Sequence, residues 1–584
     1  MRSKLALVFS LLVVVSMLLA ACGQATTAAP ATEGPATEVA TTDVATEAPT
    51  EPAELPTLRV QVASFPDMLD PQKASFLNEI GHVNKTWEGL TLLNGDLETV
   101  PGSAEKWEFS ADGLTLTFTL RPNLKYSDGS ILNAKRFEYS LKRLVDPTVA
   151  GEYAGSTDEI VGAVEYRTAD LAKATPEDLA KLRDAVGITA LDSKGAACTG
   201  YEQEDCNTLQ IKLKKLAPYF PTIMSMWVSF PAKEELITAG GDTWWLDAAN
   251  YLGNGPFIMT SLEANVMTTF VPNPNYWQGQ PKYKLEYRYI TDSAVSFEAY
   301  KNDEFDIINL AAEDLATVES DPTLNAQKMI YPGNCTFSVY FTSFKEPFTD
   351  PKVREAFIYA TDRDGWVNTV LKGLGSVTLT WIPKGFPGYD PDETRFAFDP
   401  EKAKAVLAES DWVKAGKPLD ITFTFSDSPR NRTRFEFLAN RYQEVLGIQV
   451  KLNPVEPTTY SALTKDKATI PQVFYLGWCS DYPDPQNWLS IYWMSTSEYA
   501  KRYGYANPEL DVIMQNADSE LDPAKRAQYY MDAQRLLIAD RQLAFLFNSV
   551  SSYLVKPWVK GIQTTPQDGV FAGDVNPLTI TIEK

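Results

Sequence analysis

The sequence predicts an α/β protein built on a mixed sheet. Three observations carry that expectation. Between residues 419 and 478, strand and helix patterns alternate. In FSADGLTLTFTL at 109–120, an Asp112–Gly113 turn is followed by Leu114, Leu116, Phe118 and Leu120 on one face and threonines on the other, the mark of a half-buried hairpin strand. The chain from about Leu55 to Lys584 is too long for a single hydrophobic core, so two or three domains are expected.

Taken in order, the elements begin with an export signal. Arg2 and Lys4 precede a short apolar run that stops at small residues, and residues 1–21 read as a signal peptide. From Ala25 to Glu54 the chain is almost entirely Ala, Thr, Pro, Val and Glu, with six acids and no base, so it cannot bury enough apolar surface to order itself; 22–54 reads as an extended tether. TLRVQVA at 57–63 alternates as a strand, LDPQ at 69–72 is a turn, and the periodic stretch from Ile80 to Leu90 suits a helix ending at Glu88–Gly89. Asn133 can cap a helix carrying Phe137, Leu141 and Leu144 before Pro147. Residues 168–186 look helical, and TLQIKL at 208–213 is a strand. A strand at 266–271 leads into NPNYW at 273–277, a turn followed by aromatics. Residues 350–373 form a long helical segment with a break at Asp364–Gly365, and Asp399 with Pro400 starts a helix through 410. Strands at 419–425, 448–453 and 472–478 enclose a helix at 430–446. The last of these strands runs into GWCSDYPDP, residues 477–485, and loops beyond strand ends are where ligand sites collect in open α/β sheets.

Charge and residue counts exclude several functions. Net charge is −23, or −25 once residues 1–21 with Arg2 and Lys4 are removed, a surface that repels phosphate backbones; a nucleic-acid partner is not expected. The single histidine, His82, is too little imidazole for a zinc site or a His-based triad, and it reads as a structural residue or lone polar contact. No cofactor or metal motif appears, and no carboxylate pair stands out among 76 acids as a glycosidase would require, so an enzyme is not expected. Setting Cys22 aside leaves Cys198, Cys206, Cys335 and Cys479, which in an exported chain suggests two disulfides with three possible connectivities. A local Cys198–Cys206 bridge is the simplest choice. It leaves Cys335 with Cys479, a long loop worth roughly 5 kcal/mol in the simple entropy model, against about 2.6 kcal/mol for the short one.

Cys22, preceded by Leu19, Ala20 and Ala21, resembles the lipobox of bacterial lipoproteins, which implies lipidation there and anchoring at the outer face of a membrane. The order of LDPQ, WEGL at 87–90, the run at 100–130, NPNYW, PFTDPKVREAFIYATDRDG, DPEKAKAVLAES, GWCSDYPDP and KPWVKG at 556–561 resembles the extracellular solute-binding proteins of ABC transporters, in the group that binds oligopeptides, dipeptides and nickel. Cys335, Cys479 and LVKPWVKG look most like the oligopeptide branch, where that cysteine pair is bridged. The resemblance implies a type II periplasmic-binding-protein-like fold, two α/β lobes with a hinge plus an extra domain. One lobe is then 55–100, 231–334 and 551–584, the extra domain 101–230 and the other lobe 335–550, with hinge crossings near Cys335 and Val550. The implied function is a monomeric receptor that encloses a short peptide and passes it to a membrane permease; an oligosaccharide is the alternative ligand, given 13 tryptophans able to stack on rings.

The same resemblance implies the site. Asp481 matches the carboxylate that pairs with a ligand's α-ammonium, although an Asp beside Tyr482–Pro483 can equally close an Asx turn. Gly477, Trp478, Cys479 and Tyr482 share its motif, Trp478 and Tyr482 as pocket walls, while Asp484 between two prolines shapes the turn. Glu88, Tyr153 and Asn254, in WEGL, DPTVAGEYAG and GNGPF, match cavity positions, and Tyr460 falls near a position where relatives carry an aromatic. This chain departs from the branch in having Tyr475 where an arginine stands. Arg430, Arg432 or Arg434 in SPRNRTR could take a ligand carboxylate instead, or could be a solvated helix start.

Overall fold

A computed structural model describes residues 54–584. The expected signal peptide at 1–21, the proposed lipidation at Cys22 and all of the tether but Glu54 lie outside the described residues.

Ten strands make one mixed sheet: β1 (Thr57–Val62), β2 (Phe257–Glu263), β3 (Met267–Pro272), β4 (Lys284–Tyr289), β5 (Ile307–Asn309), β6 (Lys328–Phe341), β7 (Ile421–Ser426), β8 (Val450–Val455), β9 (Val473–Cys479) and β10 (Leu543–Val555). Their order across the sheet is β8-β7-β9-β6-β10-β5-β1-β4-β3-β2, with Ser376–Val377 added beside β10. β1 runs parallel to both β4 and β5, and β7 parallel to both β8 and β9. The long strands β6 and β10 join the two halves. β10 pairs with β5 through 553–555, while β6 pairs with β9 through 335–341.

Between those two pairings the register of β6 on β10 shifts, from Pro332 opposite Val550 to Thr336 opposite Asn548. Pro332 offers no N–H to a ladder. A Cβ at Gly333 would stand 2.5 Å from Ser549 Oγ, so the crossing strands approach each other here as only glycine allows. Cys335 sits within the shift, directly opposite Cys479, and the two are bonded, as are Cys198 and Cys206.

The second half of the sheet is buried on both faces. Phe423, Phe435 and Phe357 pack on one side, and Trp381, Trp488 and Trp493 on the other. A four-stranded antiparallel sheet made of Ala104–Phe109, Thr115–Leu120, Thr208–Lys212 and Ile188–Leu191 lies within 101–230. Its Leu116, Phe118, Leu209 and Ile211 join Leu58 and Val60 of β1 in a single core, so this region has its own sheet without a core of its own.

Three helices differ from the sequence reading. The first spans Leu77–Thr86 and stops short of Glu88–Gly89, because Thr86 O accepts from Gly255 N at 2.8 Å and the loop crosses so closely that a Cβ on Gly253 would sit 1.8 Å from that oxygen. Helix Pro176–Ala185 begins well after 168, at a capping box in which Thr175 Oγ1 accepts from Asp178 N. The segment from 350 ends its first helix at Tyr359, and Asp362, accepting from Gly365 N at 2.8 Å, restarts the chain in a different turn.

Candidate functional site

A cavity of about 1020 Å³ lies between the halves of the sheet and the 101–230 region, and the end of β9 opens into it. The wall on that side is GWCSDYPDP. Past Cys479 the chain leaves the sheet with Ser480 N donating to Asn334 O at 3.0 Å, and Asp484 then caps the short helix Pro485–Trp488 by accepting from Gln486 N at 2.9 Å. Arg526 clamps Asp484 with two bonds of 2.8 and 2.7 Å, which fixes the turn from behind. Asp481 is thereby held at the cavity edge.

Its carboxylate has only neutral donors. Asn487 Nδ2 donates to Oδ2 at 3.1 Å, and the Tyr153 hydroxyl, arriving from the 101–230 region, donates to Oδ1 at 3.1 Å. Burial pushes the Asp481 pKa up, and no charged side chain pulls it back. Asn487 also orients its neighbours, accepting from Trp478 Nε1 at 3.1 Å and from Asp481 N at 3.3 Å. Aromatic rings line the sides: Trp478 stands edge-on to Tyr499 at 5.0 Å, and Tyr153 edge-on to Trp227 at 4.9 Å. Tyr482 is buried beneath, its hydroxyl donating to Gln486.

Glu88 borders the opposite wall and is 1% exposed. Ser103 Oγ and Trp277 Nε1 donate to its Oε1 at 3.0 and 2.8 Å, and Tyr276 OH to its Oε2 at 2.5 Å. Burial outweighs these three bonds and lifts its pKa to about 7. NPNYW thus supplies two of the donors to WEGL. Asn254 completes the set from behind, donating to Glu88 O at 3.0 Å and accepting from Glu88 N at 3.0 Å.

Of the residues singled out from sequence, Glu88, Tyr153, Trp478, Cys479, Asp481 and Tyr482 come together on the cavity. Asn254 is set back behind Glu88. Gly477 lies in β9 against Phe337, where a Cβ would meet the ring at 2.4 Å, and Tyr460 donates its hydroxyl to Tyr475 O inside the second half, so neither lines the cavity. Arg430 and Arg432 are exposed and lie beside Glu313 and Asp427, at 3.8 and 2.7 Å, and neither lines the cavity. His82 is buried between Asn78 O and Tyr289 OH, where burial lowers its pKa to about 4. Asn487, Trp227 and Lys85 were not found by sequence reasoning. Asn487 had a signal: it lies three residues past Asp484, in the turn of a helix whose Asp-Pro start is legible.

The family model described as "Bacterial extracellular solute-binding proteins, family 5 Middle" matches residues 98–500. The chain is 27% identical over 536 residues to the periplasmic murein peptide-binding protein MppA of Escherichia coli, covering 89% of this chain and 93% of that protein. It is 26% identical to the oligopeptide-binding protein OppA of Bacillus subtilis, over 87% of this chain and 90% of that one. Among solved structures, the unliganded open form of MppA superposes with a TM-score of 0.74 at 26% identity, over 91% of this chain and 98% of that one. That structure has the type II, two-lobed α/β fold expected from the sequence.

Proposed function

This chain belongs to the family 5 bacterial extracellular solute-binding proteins, and on that premise we propose that it is the lipid-anchored receptor of an ABC importer, capturing short peptides between two closing lobes and delivering them to the permease. The observation that carries the reading is Asp481. A carboxylate held by two neutral donors at the edge of a cavity, with no basic side chain paired to it among the described residues, is poised for a ligand cation, and a peptide's α-ammonium is one. The matched relatives, a murein peptide-binding protein and an oligopeptide-binding protein, support the peptide.

Contacts from both sides of the cleft give closure its driving force. Tyr153 of the 101–230 region and Asp481 of the 335–550 lobe already meet, and a ligand bonded to both sides shifts the population toward the closed form. The crossing strands, with their register shift at 332–336, are the proposed hinge. Cys22 is the proposed lipid site, and Cys22→Ala is expected to abolish incorporation of labelled fatty acid. Mass spectrometry of the material released on denaturing the purified protein, followed by calorimetry of the stripped protein with that material, tests the ligand. Peptide is expected; a glycan in its place sinks the peptide reading and leaves the receptor fold standing.

A further inference from the structure

We propose, building on the peptide reading above, that the preferred ligand is a basic peptide: one with cationic side chains, whose own C-terminal carboxylate finds no ion-pair partner in the cavity. The charge census of the walls carries this. Seven carboxylates line the cavity, against one lysine and no arginine or histidine.

Three of the seven are neutralised locally. Asp158 takes Arg167 in two bonds of 3.0 and 2.6 Å, Glu159 has Lys215 at 3.4 Å, and Asp574 has Lys85 at 3.8 Å. The lysine in the wall is therefore already engaged, buried against Asp574, and is not free to receive a ligand carboxylate. The other four, Glu88, Glu152, Asp481 and Asp568, have no ion pair among the described residues.

Position separates their roles. Glu88 is saturated by its three donors and faces the ligand as a largely closed group. Asp568, on the 551–584 side of the cavity, is tied into its loop by Thr565 N at 3.0 Å and Gly573 N at 2.9 Å, and by Tyr331 OH at 2.9 Å; burial and the neighbouring Asp574 lift its pKa to about 7, so it contributes only part of a charge near neutrality. Glu152 is exposed and adjoins Tyr153, whose hydroxyl holds Asp481. Asp481 is thus placed for the ammonium, and Glu152, next to Tyr153 in sequence and also on the cavity lining, for a basic side chain.

The arginines of SPRNRTR, which the sequence offered for a ligand carboxylate, do not line the cavity. Tyr475 stands in β9, Arg430 and Arg432 pair with Glu313 and Asp427, and Arg434 is half-buried with its Nη1 on Asn431 Oδ1 at 3.4 Å. A carboxylate brought into this cavity loses its water and meets charges of its own sign. A cationic side chain meets a negative field focused by low-dielectric walls.

Calorimetry of the stripped protein with tri-alanine, tri-alanine amide, tri-lysine and tri-glutamate tests the inference. Tri-lysine is expected to bind about tenfold or more tighter than tri-alanine at low salt, the advantage shrinking as salt screens it. Amidation is expected to leave tri-alanine affinity equal or improved, because no partner for the carboxylate is lost, and tri-glutamate is expected not to bind. Glu152→Gln, a change at an exposed side chain, is expected to cut the tri-lysine to tri-alanine ratio about threefold. Equal affinity for tri-lysine and tri-alanine, or clear weakening on amidation, overturns the inference while leaving a peptide receptor. Failure of every peptide to bind overturns both.

Discussion

Two carboxylates face one another across the same cavity and are built in opposite ways. Glu88 accepts three side-chain hydrogen bonds, from Ser103, Tyr276 and Trp277, and is sealed from water. Asp481 accepts two, from Asn487 and Tyr153, and one of those comes from across the cleft. Burial raises both pKa values, but only the Glu88 site is complete without a ligand. A carboxyl that the protein satisfies belongs to the frame; one it leaves short of a cation belongs to the ligand. The two residues are thus expected to report on different quantities, one on stability and the other on affinity.

Asp481→Asn gives the largest effect on that comparison. Removing the charge that meets the ammonium is expected to cost about 2–5 kcal/mol of peptide affinity, a loss of at least thirtyfold by calorimetry, while the melting temperature of the free protein holds or rises. Unchanged affinity removes the anchor role. Glu88→Ala is the counterpart. It strands three buried donors at about 1–3 kcal/mol each, so the chemical-denaturation midpoint is expected to fall sharply. A Glu88→Ala protein as stable as the parent erases the distinction between frame and site.

The contrast also has a pH signature. Glu88 binds its proton more tightly in the folded state, pKa about 7, than an unfolded glutamate does at 4.5. Between those values the native state holds the proton and the unfolded state does not, so stability falls as pH rises through the window, by up to about 3 kcal/mol from this group. Peptide affinity runs the other way. Asp481 must be ionised to meet an ammonium, and its raised pKa makes affinity drop as the medium is acidified. Asp568 and Asp518, raised to about 7 and about 6, act in the same direction, so thermal melts of the free protein should rise from pH 8 to 5.5, peptide affinity should decline, and Glu88→Gln should lessen the first trend while sparing the second.

How much of this was legible in the sequence follows the range of the interactions. Locally signalled elements were readable: Asn133 and Asp399 cap the helices expected of them, and the 109–120 alternation falls on the four-stranded sheet. Glu88, Tyr153 and Asp481 were readable as candidates only through the resemblance to a family. What lay outside was set by contacts between distant segments. The helix ends at Thr86 because a loop 169 residues later takes its carbonyl, in Gly255 N to Thr86 O. That NPNYW delivers Tyr276 and Trp277 to Glu88 is likewise invisible to periodicity. Which of the two readings of SPRNRTR fits was likewise hidden from the sequence: Arg430 and Arg432 lie beside Glu313 and Asp427 and Arg434 beside Asn431, the arrangement of a solvated helix start.

Tyr153→Phe gives the smallest effect and the sharpest discrimination. The hydroxyl lies 3.1 Å from Asp481 and favours the ionised carboxylate, while its ring packs on Trp227. Phenylalanine keeps the ring and deletes the bond, so the melting temperature should move little. Loss of one hydrogen bond to a charged acceptor costs about 1.5–3 kcal/mol when nothing replaces it, and the cavity can offer water in its place. A deficit of a few-fold in peptide affinity near neutral pH is therefore expected. With that donor gone the Asp481 pKa moves further up, so the deficit should widen as the pH is lowered. A deficit constant across pH would make Tyr153 a contact to the ligand alone, and none at all would leave Asn487 as the only support the anchor needs.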